Sequence, residues 1–127
     1  MVGIARAFFT SALVYGVVGM LLGLSMAMQH NHSQMPTHAH VMVIGWVSFA
    51  IFGLFYTQHA KSVPRILSYI HFWLAQLSLL GLVVGLWLIY SGQTQYDPVA
   101  AVSSTAYALS FVLFAIIALL AMRMPKV

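Results

Sequence analysis

Apolar residues fill four long stretches of the chain, and polar residues are gathered in the segments between them. The stretches cover residues 7–28, 38–58, 66–90 and 99–122, and each is long enough as a helix to cross a hydrocarbon core of about 30 Å. The connecting segments contain three of the four prolines, which mark turns and helix ends. The pattern therefore predicts an all-α fold, in which residues 1–127 form a single domain, an integral membrane four-helix bundle.

Composition supports a membrane protein and gives no sign of a nucleic-acid partner. Of the 127 residues, 62% are hydrophobic and only 5% are charged, which leaves too little polar surface for a water-soluble globule. The predicted partner is therefore the lipid bilayer. The net charge of +4 comes from basic residues scattered between apolar stretches, so no basic stripe exists that could follow a phosphate backbone.

The distribution of basic residues predicts the orientation of the bundle. All five lie before the first stretch, between the second and third, or after the fourth: Arg6, Lys61, Arg65, Arg123 and Lys126. By the positive-inside rule both termini are then cytoplasmic. A signal peptide is the alternative for the first stretch, but that stretch is longer than the roughly 7–15 apolar residues of such a region. We expect a protein of the bacterial inner membrane.

The chain lacks the residues that several kinds of metal site and active site require. The chain has no cysteine, which excludes thiolate metal ligands, iron–sulfur clusters and covalent haem attachment. No Asp or Glu occurs within the four stretches, so the carboxylate relay typical of proton pumps is missing. A nucleophile with a base and an orienting carboxylate cannot be assembled either, and there is no phosphate-binding loop.

The histidines are the candidate functional residues. His38 and His40 follow Pro36, which suits the first turn of a helix, so both enter the membrane at the outer side. Side chains two residues apart on a helix point in directions that differ by about 200°. The pair therefore faces two neighbours and does not bind one ion within a single chain. Imidazole can bind haem iron, copper or zinc; the alternative is that both are interfacial histidines bonded to backbone or water.

Other histidines allow further interpretations. His30 and His32 lie in the first connecting segment and are either solvated or, with Met35 and nearby methionines, ligands for copper, since thioether and imidazole together suit the cuprous ion. His71 lies within the third stretch. A hydrogen bond to a neighbouring helix is the preferred role for His71, and a second ligand site is the alternative. His59 is expected at the inner surface.

The sequence Thr-His-Ala-His-Val-Met-Val-Ile-Gly-Trp at residues 37–46 resembles the haem-ligand helix of subunit I of the haem–copper (cytochrome c) oxidases. In that family a His-x-His pair, followed by apolar residues and a glycine, enters the membrane from the outer side. The chain is similar along most of its length to short four-helix proteins of this kind. Such a chain resembles one of the three four-helix arcs that make up the twelve-helix subunit.

The resemblance implies a non-covalent, b-type haem with His38 and His40 as ligands. It also implies a homotrimer that imitates the whole subunit, and an electron-donor protein as a further partner. The function would be electron transfer or the binding of a small gas such as O2 or NO, and any enzymatic activity would be that of an oxidoreductase. The outer segments contain no arginine to pair with haem propionates. Neutral donors would have to replace it: His30, His32, Gln34 or Gln93.

Two alternatives to a haem protein follow from the residues. Copper or zinc handling at the outer face would draw His30, His32, His38, His40 and nearby methionines into one site. A metal-free structural subunit of a larger membrane complex would use the histidines only as hydrogen-bonding groups. An optical spectrum separates haem from copper or zinc, because only haem has a Soret band.

The charge distribution leads to a prediction about topology. A reporter fused after Val127 should be cytoplasmic, and a reporter inserted between Ser91 and Pro98 should lie outside, because all five cations are on the other side of the membrane. Paired alkaline phosphatase and fluorescent-protein fusions measure this. An external carboxyl terminus would refute the predicted orientation.

Overall fold

The computed structural model describes residues 1–124, and this part of the chain is helical with no strand. The first and third spans are α1, Gly3–Gln29, and α4, Arg65–Tyr90. The second span, Met35–Ser62, consists of α2 (Met35–His40), a π-helical segment (Val41–Val47), α3 (Ser48–His59) and a final 3-10 turn. The fourth span is α5, Asp97–Arg123, preceded by a 3-10 turn. Four helices long and apolar enough to cross a membrane are thus confirmed, with bounds a few residues wider than predicted.

The helix ends follow from local chemistry. Pro36 and Pro98 lie in the first turns of α2 and α5, where the missing N–H costs no helical hydrogen bond. At the other end of α1, His30 takes a left-handed conformation with φ of 50°. The amide of the next residue, Asn31, then reaches back to the carbonyl of Met26 at 3.2 Å. This closure is usually made with glycine, so His30 has a structural role at the helix end.

The four spans form two closely packed antiparallel pairs. α1 packs along the second span, and α4 packs along α5. Glycines permit both approaches: a Cβ at Gly19 would collide with Met42 of the second span, and a Cβ at Gly85 would meet the backbone of Ala100 in α5. Gly19 with Gly23 in α1, and Gly81 with Gly85 in α4, are pairs of small residues four positions apart that allow such close helix contact.

Lipid-facing and buried residues separate as the membrane requires. Large aliphatic side chains such as Leu21, Leu77 and Leu120 remain exposed on the outside of the bundle, which is stable only where lipid covers them. The interior instead contains an aromatic cluster centred on Phe8, whose ring contacts Phe49, Phe52 and Phe72 at centroid distances of 5.0–5.4 Å. This cluster fills the half of the bundle that lies toward Arg6 and Lys61.

The π-helical segment within the second span is a feature that the hydropathy pattern does not predict. A π-helix shifts the hydrogen-bond pattern by one residue and leaves carbonyl groups available to other partners. Tyr107 of α5 donates its hydroxyl to the carbonyl of Ile44 at 3.1 Å, and Ser48 donates to the carbonyl of Val43 at 3.0 Å. Side-chain donors therefore satisfy two backbone carbonyls in a region without water.

The contact between α4 and α5 leads to a prediction about stability. A Cβ at Gly85 would lie 2.9 Å from the amide nitrogen of Ala100 and 3.1 Å from its Cα, so Gly85→Ala must push two backbones apart. We expect the free energy of unfolding to fall by about 1–3 kcal/mol, measured by unfolding in mixed detergent micelles. Val84→Ala, on the exposed side of the same helix, is the control. Equal effects of the two substitutions would contradict the packing of α4 against α5.

Candidate metal centre

The histidine end of the bundle is the end formed by residues 30–34 and 91–96. Its central anchor is Gln34, whose side chain is only 7% exposed. The Gln34 amide nitrogen donates to the carbonyl of Trp87 at 3.1 Å and to the hydroxyl of Ser91 at 3.0 Å. Its amide oxygen accepts from Thr37 at 2.7 Å. These bonds attach the start of the second span to the end of α4 and so position the following turn, which contains His38 and His40.

His38 is oriented by α1. Its Nδ1 lies 2.7 Å from the carbonyl oxygen of Gly19, and its ring occupies space next to Gly23, where a Cβ would come within 2.8 Å of the ring. A carbonyl oxygen can only accept a hydrogen bond, so Nδ1 carries the proton. In the neutral form of this imidazole the lone pair is then on Nε2.

His40 has the same tautomer but a different support. Its Nδ1 lies 2.7 Å from the carbonyl oxygen of Pro36, one turn earlier in the same helix. Nε2 is again the nitrogen with the free lone pair. Because the two residues point about 200° apart, His38 is turned toward α1 and His40 is turned away from it. Both side chains are half-buried, so a ligand can reach them without opening the core.

The remaining candidates at this end do not join the pair in one chain. His30, His32 and Met35 are exposed, and His30 terminates α1. Within residues 1–124 no group of three or more His, Cys, Asp or Glu side chains is close enough to hold one ion. Gln34 was expected as a possible propionate donor, but its amide is already used within the chain. A site built from three or more of these side chains would therefore need a second chain.

His71 has a separate, structural environment. It is fully buried, and its Nδ1 lies 3.0 Å from the hydroxyl of Tyr56 in the second span. The rings of Phe8, Phe52 and Phe114 surround it at centroid distances of 4.8–5.2 Å. The predicted hydrogen bond to a neighbouring helix is thus confirmed. The sequence did not identify Tyr56 as the partner, because a single sequence does not show which residue of the neighbouring span packs against His71.

His59 provides a useful comparison because it lies at the opposite end of the second span. Its Nδ1 is 3.2 Å from the carbonyl of Phe55, one turn earlier, so its local contact is of the same kind as that of His40. Its ring stacks on Phe55 at 4.6 Å. A contact between Nδ1 and the preceding turn is therefore not sufficient to define a ligand; the position of two such residues on one helix turn is what distinguishes His38 and His40.

Comparison with protein families, with curated proteins and with solved structures finds no match for this chain. A function proposed for this chain therefore rests on the geometry of the histidine end.

The buried pair of Tyr56 and His71 leads to a stability prediction. Tyr56→Phe removes the hydroxyl and leaves His71 Nδ1 without a partner among aromatic rings, so the free energy of unfolding should fall by about 1–2 kcal/mol. Tyr69→Phe, in α4 and with no hydroxyl hydrogen bond, is the matched control. Thermal unfolding in detergent, followed by circular dichroism, measures both. Unchanged stability of Tyr56→Phe would show that the bond contributes nothing.

Proposed function

We propose that this protein is a membrane haem protein that binds a non-covalent b-type haem through His38 and His40 and transfers electrons or binds a small gas. The observation that carries the proposal is the presence of two similarly held imidazoles on one helix turn. Each is fixed by a hydrogen bond of 2.7 Å from Nδ1 to a backbone carbonyl. Each therefore presents Nε2 as a ready ligand.

This arrangement is the one that metal-binding histidines commonly have. A ligating imidazole usually donates its other N–H to a carbonyl or carboxylate, which fixes the ring and raises the basicity of the ligating nitrogen. Neutral imidazoles without thiolates or carboxylates suit haem iron well, because the porphyrin already supplies four nitrogen ligands. Only two protein ligands are then needed, and the second span offers two histidines on one helix turn.

The opposed directions of His38 and His40 favour an assembly. We propose that His38 of one chain and His40 of the next bind the same iron, so that each chain contributes to two sites. Such a head-to-tail contact gives a closed ring where the rotation from one chain to the next closes, and three copies of a four-helix chain would supply twelve helices, as in the oxidase subunit that the sequence resembles. The haem, when bound, would supply one-electron chemistry, and binding of a gas would require one of the two imidazoles to leave the iron.

The residues around the site would hold the haem propionates only weakly. Arg6, Lys61, Arg65 and Arg123 lie at the opposite ends of the spans, so no lysine or arginine among residues 1–124 lies near His40 to pair with the propionates. With Gln34 used in the fold, His30, His32 and Gln93 remain as neutral donors. We propose that this end faces the outside of a bacterial inner membrane, where a separate electron-donor protein can approach it.

Replacement of single histidines tests the proposal. His40→Ala should lower the haem content per chain by about tenfold or more, since even loss of a supporting group costs 10–100-fold in metal affinity. His38→Ala should do the same or leave a five-coordinate iron that binds carbon monoxide readily. The pyridine haemochrome assay and the reduced-minus-oxidised spectrum measure these changes.

The matched control is His59→Ala, which removes an imidazole with a similar Nδ1 contact at the other end of the same span. It should keep the haem content of the wild type. Retention of haem by His40→Ala together with its loss in His59→Ala would refute the assignment. Purification with copper or zinc and no Soret band would favour metal handling instead.

A further inference from the structure

A cleft of about 550 Å³ opens at the histidine end, between the last turns of α1 and α4. Gln34 is part of its lining, and the bonds from Gln34 to Trp87 and Ser91 hold that wall in place. No histidine lines the cleft, so it is separate from the proposed haem ligands. Its size is typical of sites for small molecules.

The polar part of the cleft is uncharged and contains both donors and acceptors. Ser91 accepts from Gln34 and keeps its own hydroxyl hydrogen free, and Gln29 donates to Ser25 at 3.1 Å and keeps its amide oxygen free. Asn31 and Ser33 add a further amide and hydroxyl. Hydroxyl groups of a ligand can both donate and accept, so they match this lining. A phosphate or carboxylate would find no cation to balance its charge.

The other walls are aromatic and aliphatic. Trp87 and Tyr90, both partly exposed, lie along the α4 side, and Leu22 and Met26 lie along the α1 side. Trp and Tyr are typical of the level of the lipid headgroups. Because Leu22 lies almost two turns before the end of α1, the cleft extends from the polar surface toward the apolar depth of the membrane. A ligand with a hydroxylated head and an aliphatic tail fits this gradient.

We propose that the cleft binds a lipid with an uncharged, hydroxyl-rich headgroup such as a sugar. The ring of the sugar lies on Trp87 and Tyr90, and its hydroxyls pair with Gln29, Asn31 and Ser33. The acyl chain continues past Leu22 into the bilayer. This site does not depend on haem binding.

The test uses the full-length protein in nanodiscs of phosphatidylcholine that contain a small, equal share of monoglucosyl diacylglycerol and phosphatidylglycerol. Native mass spectrometry then measures the lipid that stays bound to each chain. The glucolipid should be enriched about tenfold over its share, equivalent to ~1.4 kcal/mol, and phosphatidylglycerol should not be enriched. Preference for phosphatidylglycerol, or no preference, would overturn the proposal.

Single substitutions in the cleft test whether the glucolipid binds there. Trp87→Leu and Gln29→Leu should each abolish most of the enrichment, while Trp73→Leu, on the same helix but at its other end, should leave it unchanged. Trp73 is 54% exposed and Trp87 is 47% exposed, so the control removes a tryptophan of similar exposure. Equal enrichment in all variants would place the lipid elsewhere. If soluble methyl glucoside, at the same concentration as the glucolipid, displaced the bound glucolipid, the cleft would be a site for free sugar and not for a lipid.

Discussion

The hydrogen bond from Nδ1 of His38 to the carbonyl of Gly19 is the contact on which the histidine end depends. An imidazole is costly in lipid unless its polar atoms are paired, and this bond pairs one of them while tying the second span to α1. It is possible because Gly19 and Gly23 have no side chain: a Cβ at Gly23 would lie 2.8 Å from the ring. The same contact that allows close helix packing therefore also decides which nitrogen of His38 remains free.

The two halves of the bundle satisfy their polar groups differently. At the histidine end, side chains bond to backbone carbonyls, as His38 and His40 do, and their second nitrogens stay accessible. In the other half, His71 and Tyr56 bond to each other inside an aromatic cluster, and the Nε2 atom of His71 is buried without a hydrogen-bond partner. Because a ligand can reach the half-buried His38 and His40 but not the fully buried His71, we propose ligand chemistry for His38 and His40 and a structural role for His71.

The sequence predicts the spans well because lipid imposes a simple requirement on length and hydropathy. The predicted segments match α1, α4, α5 and the second span within a few residues, and Pro36 correctly marks a helix start. Features that rest on distant partners were not predictable: the π-helical segment is supported by Tyr107, which is about sixty residues away in the chain. That His38 and His40 point in different directions was predictable from helix geometry, whereas the acceptor of His38 on α1 required the packed structure.

We propose that iron is held between neighbouring chains by His38 of one and His40 of the next. Native mass spectrometry of the protein released from mild detergent tests it most directly, because it weighs chains and cofactor together. We expect an assembly of three chains that carries haem and loses it when it dissociates. A single chain that retains haem, or a trimer that carries copper or zinc and no haem, would contradict the account.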